Sequence, residues 1–278
     1  MKKRTILDEK VKLHNGIMMP VMGFRTYKIE NNELGKEAIL EALNQGYRHI
    51  DMAKIYGNEE IVGQAIKESK ISRSEIFVTT KLWGNELTKE QYLQEIDSSL
   101  EKLGLEFVDL FLMHWPWNNR KIAWEVLEEI YRAKKARAIG VSNFNIEQLE
   151  QLKQDAKELP VANQIEFHPG LNQTELRAYH QKNNIITIGW GTMKYHDDSL
   201  PETCEQIARE YNKTIQQLFL RWAYQHQSLI IPKSMHKTRI IENSAIDDFK
   251  ISDEHMKWID SLPQSRKGPD PNNFDFGN

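Results

Sequence analysis

Eight short apolar runs, each followed by an amphipathic stretch, constrain the fold of this chain more than any other feature. They are VMGF near residue 21, HID ending at 51, IFVTTKLW from 76, VDLFLMHW from 108, ARAIGVSN from 136, VANQIEF from 161, IITIGW from 185 and SLIIP from 228. Runs of this length read as strands buried on both faces, which is the habit of parallel sheets. Between them the apolar spacing changes to three and four. In TKEQYLQEIDSSLEKLG, Leu93, Ile96, Leu100 and Leu103 fall on one helical face and Gly104 supplies the stop. NIEQLEQL opens on Asn145 with Gln148 three residues on, the pattern of a capping box. Strand–helix units repeated eight times over 278 residues predict an α/β fold, a (β/α)8 TIM barrel. HNG at 14–16 predicts an N-terminal β-hairpin cap over residues 5–20. A doubly wound sheet is the rival, but it would carry a glycine-rich phosphate turn after its first strand. GFRTYKI is neither that turn nor a P-loop.

No tract rich in Gly, Ser or Pro divides the middle of the chain, so one domain over 1–278 is expected, ending in an irregular tail over 263–278. At 40% hydrophobic and 28% charged residues the chain can build one large core. Its net charge of −3 gives no reason to expect a nucleic-acid partner or an anionic membrane surface. A single cysteine, Cys204, excludes an internal disulfide and the paired-cysteine zinc motifs, and no metal is expected. Cys204 itself reads as a small, half-buried packing residue. MKKRTILDEKVKL has no long apolar run, so no signal peptide is expected, and no apolar stretch is long enough for a membrane helix. The expectation is a soluble, cytoplasmic protein.

In a barrel, chemistry sits at the C-terminal ends of the strands. The polar residues there are Asp51 and Tyr56 after the second run, Lys81 after the third, and His114 after the fourth. Ser142 and Asn143 follow the fifth, Gln164 the sixth, Trp190 the seventh, and Lys233 and Ser234 the eighth. Singly, each has an ordinary structural reading: a rim histidine, a lysine reaching for water, an acid capping a helix. Together, Asp51, Tyr56, Lys81 and His114 place four proton-handling groups on three consecutive strand ends. A free phenol is a weak acid at neutral pH, and a nearby ammonium favours its phenolate and eases proton donation. Asp51 could hold such an ammonium on Lys81, and His114 could orient a carbonyl oxygen toward Tyr56.

The motifs carry a resemblance to the aldo-keto reductase family over nearly the whole chain. GYRHIDMAKIYGNEEIVG resembles the family's first signature, GVSNF and NQIEFHP its middle, and IPKSMHKTRIIEN its C-terminal cofactor signature. The resemblance implies a catalytic tetrad of Asp51, Tyr56, Lys81 and His114, with Tyr56 as general acid in the reduction of aldehydes or ketones. It implies NADPH, lying extended across the barrel mouth. Ser142, Asn143 and Gln164 would hold the carboxamide, and Trp190 would stack on the nicotinamide, with Thr26, Asp51, Gly191 and Met193 around it. Lys233, Ser234 and Arg239 would hold the 2′-phosphate, with Glu242 and Asn243 near the adenine. Tyr27, Trp83 and Trp115, with Arg25 and His114, would face a small carbonyl substrate, whereas Trp117 reads equally as rim packing. The resemblance also implies a monomer.

Three residues depart from the family pattern. Arg25 and Met52 stand where small residues are usual, and Thr192 where a proline commonly follows. All three border the expected site, so Arg25 and Met52 are expected to add bulk there. A guanidinium keeps its charge, so Arg25 needs an anion: cofactor pyrophosphate, a substrate acceptor, or a neighbouring acid such as Asp51. Contact with cofactor or substrate is the expectation. Two other functions compete. One is a non-catalytic binding subunit; the other is a repurposed or engineered barrel in which Lys81 or Lys54 acts as an amine nucleophile.

Overall fold

The computed structural model describes residues 4–193 and 201–274. Strands β1 (Lys10–Lys12) and β2 (Met18–Pro20) come first and pair antiparallel, with Val11 opposite Met19. In the turn between them Gly16 takes φ 92°, which costs nothing without a Cβ. This is the expected hairpin.

The eight apolar runs become eight parallel strands in sequential order: β3 (Phe24–Arg25), β4 (His49–Asp51), β5 (Phe77–Leu82), β6 (Leu110–Met113), β7 (Ile139–Ser142), β8 (Ala162–Glu166), β9 (Ile186–Trp190) and β10 (Leu229–Ile230). Ends of the series meet. The Gly23 amide donates to the Ile230 carbonyl at 2.8 Å, that of Ile230 to Val21 at 3.0 Å, and that of Arg25 to Pro232 at 3.0 Å. These bonds close the sheet into a barrel and remove its edges.

Helices α1 (Glu33–Asn44), α2 (Glu59–Glu68), α3 (Lys89–Leu103), α4 (Arg120–Arg132), α5 (Ile146–Asp155) and α6 (Thr174–Lys182) each follow one strand. A pair, α7 (Glu202–Glu210) and α8 (Ile215–Gln225), separates β9 from β10, and α9 (Lys237–Ser244) and α10 (Asp253–Asp260) complete the set. The caps read from sequence are formed. Asn145 accepts from the Gln148 amide at 2.8 Å while the Gln148 side chain accepts from the Asn145 amide at 2.9 Å. Gly104 ends α3 at φ 62°.

Strand alternation divides the core. Leu110 and Leu112 of β6 cluster with Phe77, Ala162 and Ile188, and with Leu13 and Met19 of the hairpin, so the hairpin packs against the lumen's apolar end. Phe111 and Met113, of opposite parity, join the larger cluster formed with helix residues such as Leu127 and Leu149. Cys204 is fully buried in that cluster rather than half-buried, and burial pushes its thiol up to about 11. No helix among the described residues is long and apolar enough to cross a membrane.

Candidate active site

Inward-facing residues at the strands' C-terminal ends converge on one carboxylate. The Lys81 ammonium on β5 donates to Asp51 Oδ1 on β4 at 2.7 Å and to the Met52 carbonyl at 2.7 Å. Gln164 Nε2, from β8 across the lumen, donates to Asp51 Oδ2 at 2.7 Å. Asp51 and Lys81 are wholly buried. Both carboxylate oxygens are therefore occupied, and the charge pair is desolvated with its hydrogen bonds satisfied, the condition under which a buried pair is tolerated.

Tyr56 ends a short 3-10 turn, Lys54–Tyr56, that leaves β4; Gly57 closes it at φ 66°. The Lys81 ammonium lies 5.3 Å from the centre of the Tyr56 ring. A second cation hydrogen-bonds the phenol: Arg25 Nη2 donates to Tyr56 Oη at 3.0 Å. His114 meets the Tyr56 ring edge to face, with centroids 5.9 Å apart. Burial, reinforced by the positive charges of Lys81 and Arg25, pushes His114 well below the ordinary histidine range. It is thus neutral at neutral pH, and its Nδ1 has no partner.

Three adjoining cavities form one groove across the barrel mouth. The first, about 300 Å³, holds Tyr56, His114, Trp83, Trp115, Ser142, Asn143, Gln164 and Trp190 on its walls. Arg25 and Tyr27 also border the second, about 340 Å³, which continues past Gly191, Thr192 and Met193 to Lys233. Met193 and Lys233 also border the third, about 670 Å³, lined further by Ser234, Arg239, Glu242 and Asn243. The groove thus runs from a phenol flanked by cations to a pocket with Lys233 and Arg239. Burial and neighbouring Lys28 pull the Lys233 ammonium below its ordinary value, so an anion beside it would be stabilising.

Side-chain bonds fix the groove's polar wall. Asn143, at φ 64°, donates to the His114 carbonyl at 3.0 Å and to Ser142 Oγ at 3.1 Å, and accepts from Trp190 Nε1 at 2.9 Å. Ser142 Oγ donates to the Gln164 carbonyl at 2.9 Å. These contacts hold the Trp190 indole in the groove wall.

Several sequence expectations need correction. Met52 does not crowd the site: its side chain is fully buried in the outer core, and only its carbonyl reaches the site, through Lys81. Strand alternation explains this, since Met52 has the opposite parity to Asp51. Arg25, expected to contact cofactor or substrate, donates to Tyr56, and the alternative of an ion pair with Asp51 is not formed. Thr26 lies outside the three cavities; it is buried with its hydroxyl on Asn58 at 3.3 Å. Trp117 is wholly buried and stacked 6.3 Å from Tyr92, so it is core rather than rim.

Sequence reasoning missed the tail's contribution. Pro269 and Phe274 line the first cavity, as does Ile55, and Phe274 stacks on Trp115 at 4.1 Å. Residues 263–274 contain no helix or strand, and 275–278 lie outside the described residues. Glu166, buried at the end of β8, anchors this segment. Its Oε1 accepts from the amides of Lys267 at 2.9 Å and Gly268 at 2.8 Å, and Arg266 lies 3.3 Å from Oε2. A Cβ on Gly268 would sit 2.4 Å from the Trp190 ring, so only glycine allows this approach. Two phenylalanines in a polar tail, at 274 and 276, and an acid inside an apolar strand were the available signals.

Residues 21–264 match the sequence model of the aldo/keto reductase family. The glyoxal reductase of Bacillus subtilis (strain 168) is 44% identical over 274 residues, which is 98% of this chain and 99% of that protein. The solved structure of an aldo-keto reductase from a Medee basin deep-sea metagenome library superposes with a TM-score of 0.90 at 40% identity, covering 95% of this chain and 99% of that one. That of a Bombyx mori aldo-keto reductase in complex with NADP superposes with a TM-score of 0.87 at 30% identity, covering 95% and 99%. On these matches and on its barrel, this chain belongs to the aldo/keto reductase family.

Proposed function

We propose that this protein is an NADPH-dependent carbonyl reductase that converts small aldehydes or ketones to alcohols, with Tyr56 as the general acid. The observation that carries this reading is the buried Asp51–Lys81 pair beside Tyr56 at the closed end of the groove. Asp51 keeps Lys81 charged and aimed. Positive charge from Lys81 and Arg25 stabilises the phenolate that remains when Tyr56 gives its proton to a carbonyl oxygen, which makes the transfer easier. Neutral His114 can direct that oxygen by a hydrogen bond without adding a competing acid. Aromatic walls from Tyr27, Trp83 and Trp115 exclude water around the reacting carbon.

The groove fits the cofactor. Ser142, Asn143 and Gln164 would hold its carboxamide and Trp190 its ring, with Gly191 and Met193 along the middle stretch. Lys233, Ser234 and Arg239 would take the 2′-phosphate, with Glu242 and Asn243 at the adenine. When bound, NADPH supplies the hydride. The relative described as a glyoxal reductase makes short dicarbonyls the first substrates to try. Lysine amine catalysis is less favoured: Lys81 is tied to two buried acceptors, and Lys54 is ion-paired with Glu95 and lines none of the three cavities. The test is to follow reduced nicotinamide with glyoxal for the wild type and Arg239→Ala, using NADPH and NADH. Consumption that prefers NADPH is expected. Loss of the arginine should weaken NADPH use by about 10- to 100-fold, from the worth of a charge-assisted bond, and spare NADH. Absence of consumption with any aldehyde would refute the reading.

A further inference from the structure

Among the described residues, Arg25 is the one charged side chain on the walls of the first cavity, because His114 is held neutral there. It lies among three aromatic rings, 4.8 Å from the centre of Tyr27, 5.7 Å from Tyr56 and 5.6 Å from Trp190. Among the described residues no carboxylate pairs with it. Both Asp51 oxygens are taken by Lys81 and Gln164. The guanidinium makes one hydrogen bond, to Tyr56 Oη, and its buried Nε has no partner. Asp51 favours this charge without pairing with it, so the enclosed guanidinium keeps donors for a further anion.

We propose that Arg25 is a specificity-determining residue that makes 2-oxo carboxylates the preferred substrates; this rests on the carbonyl-reductase reading above. In a 2-oxo acid the carboxylate is bonded directly to the reacting carbon. When the keto oxygen takes the proton of Tyr56, the carboxylate lies beside the cation that hydrogen-bonds the phenol, and that cation is Arg25 at 3.0 Å. The planar guanidinium fork matches a carboxylate. The reaction adds a hydride to the keto carbon and the Tyr56 proton to the oxygen, gives the 2-hydroxy acid, and oxidises the nicotinamide; Tyr56 regains its proton from water. Cofactor pyrophosphate is the weaker candidate anion for Arg25. Lys28 and Lys233 already line the middle of the groove, whereas the hydrogen bond of Arg25 is directed at the phenol.

The test compares phenylglyoxylate with its methyl ester, which keeps the ketone and loses the charge. For the wild type, kcat/KM for the acid is expected to exceed that for the ester. In Arg25→Met that acid-to-ester ratio should fall by about 10- to 100-fold, the worth of a charge-assisted contact. Arg25→Lys, which keeps the charge but not the fork, should retain part of it. An unchanged ratio in Arg25→Met overturns the proposal, and so does an unchanged ratio accompanied by weaker NADPH binding, which would assign Arg25 to the cofactor. If neither compound is reduced, turnover of glyoxal decides the carbonyl-reductase reading, and calorimetric titration without cofactor decides the inference separately. Acid binding that is lost in Arg25→Met while ester binding persists supports it. Acid that fails to bind, or binds the variant equally well, sinks it.

Discussion

Asp51 is the residue on which the site turns, because Lys81 from β5 and Gln164 from β8 both bond to it and it is wholly buried. Removing one partner of a buried charge pair strands the other, at about 3–5 kcal/mol. Asp51→Asn and Lys81→Met should each lose stability of that order in denaturant unfolding, and the double variant should lose much less than their sum. Additive or negligible losses would mean that the pair is not coupled as drawn. At this scale much of the candidate site was legible. Asp51, Tyr56, Lys81, His114, Ser142, Asn143, Gln164 and Trp190 stand at strand ends, and that position can be read from the runs themselves. Side-chain direction was harder to read. Met52 borders Asp51 in sequence but faces the opposite side of the strand, and parity shifts where the strand gives way to a turn. The partner of Arg25 was also out of reach, since Tyr56 comes to it from another strand's loop.

Among the elements, packing distances decide what the sequence leaves open. Gly63 of α2 abuts the last residue of α3: a Cβ there would stand 2.3 Å from the Leu103 carbonyl oxygen. Alanine would gain about 1 kcal/mol in helix propensity. Overpacking against backbone that has no rotamer to yield costs about 1–3 kcal/mol. The second effect is the larger, so Gly63→Ala should lower the unfolding midpoint in denaturant with little change in slope; a more stable variant would show that α2 can move away from α3. No local signal singles out Gly63, because the approach that requires a glycine there is a tertiary fact. By contrast, strand identity, the capping boxes at Asn145 and the stop at Gly104 are local, and each was readable.

Across the whole molecule, the order of eight strands was legible because each buried parallel strand falls on a short run rich in apolar residues. The closing of the groove was not. Phe274 lies 159 residues from Trp115 in sequence, by subtraction of their numbers, and no local signal links them. Glu166 supplies that link, holding the amides of Lys267 and Gly268 so that the tail lies over the aromatic wall. Barrel and tail thereby wall the groove that leads from Tyr56 to Lys233 and Arg239. The central claim is that Tyr56 delivers the proton at the closed end of that groove, and Tyr56→Phe tests it most directly, because the change removes one oxygen and keeps the ring. With NADPH and glyoxal, kcat should fall by about two to four orders of magnitude, the usual worth of a general acid, while NADPH affinity and thermal unfolding stay near the wild type. A Tyr56→Phe enzyme that turns over at close to the wild-type rate would contradict the account.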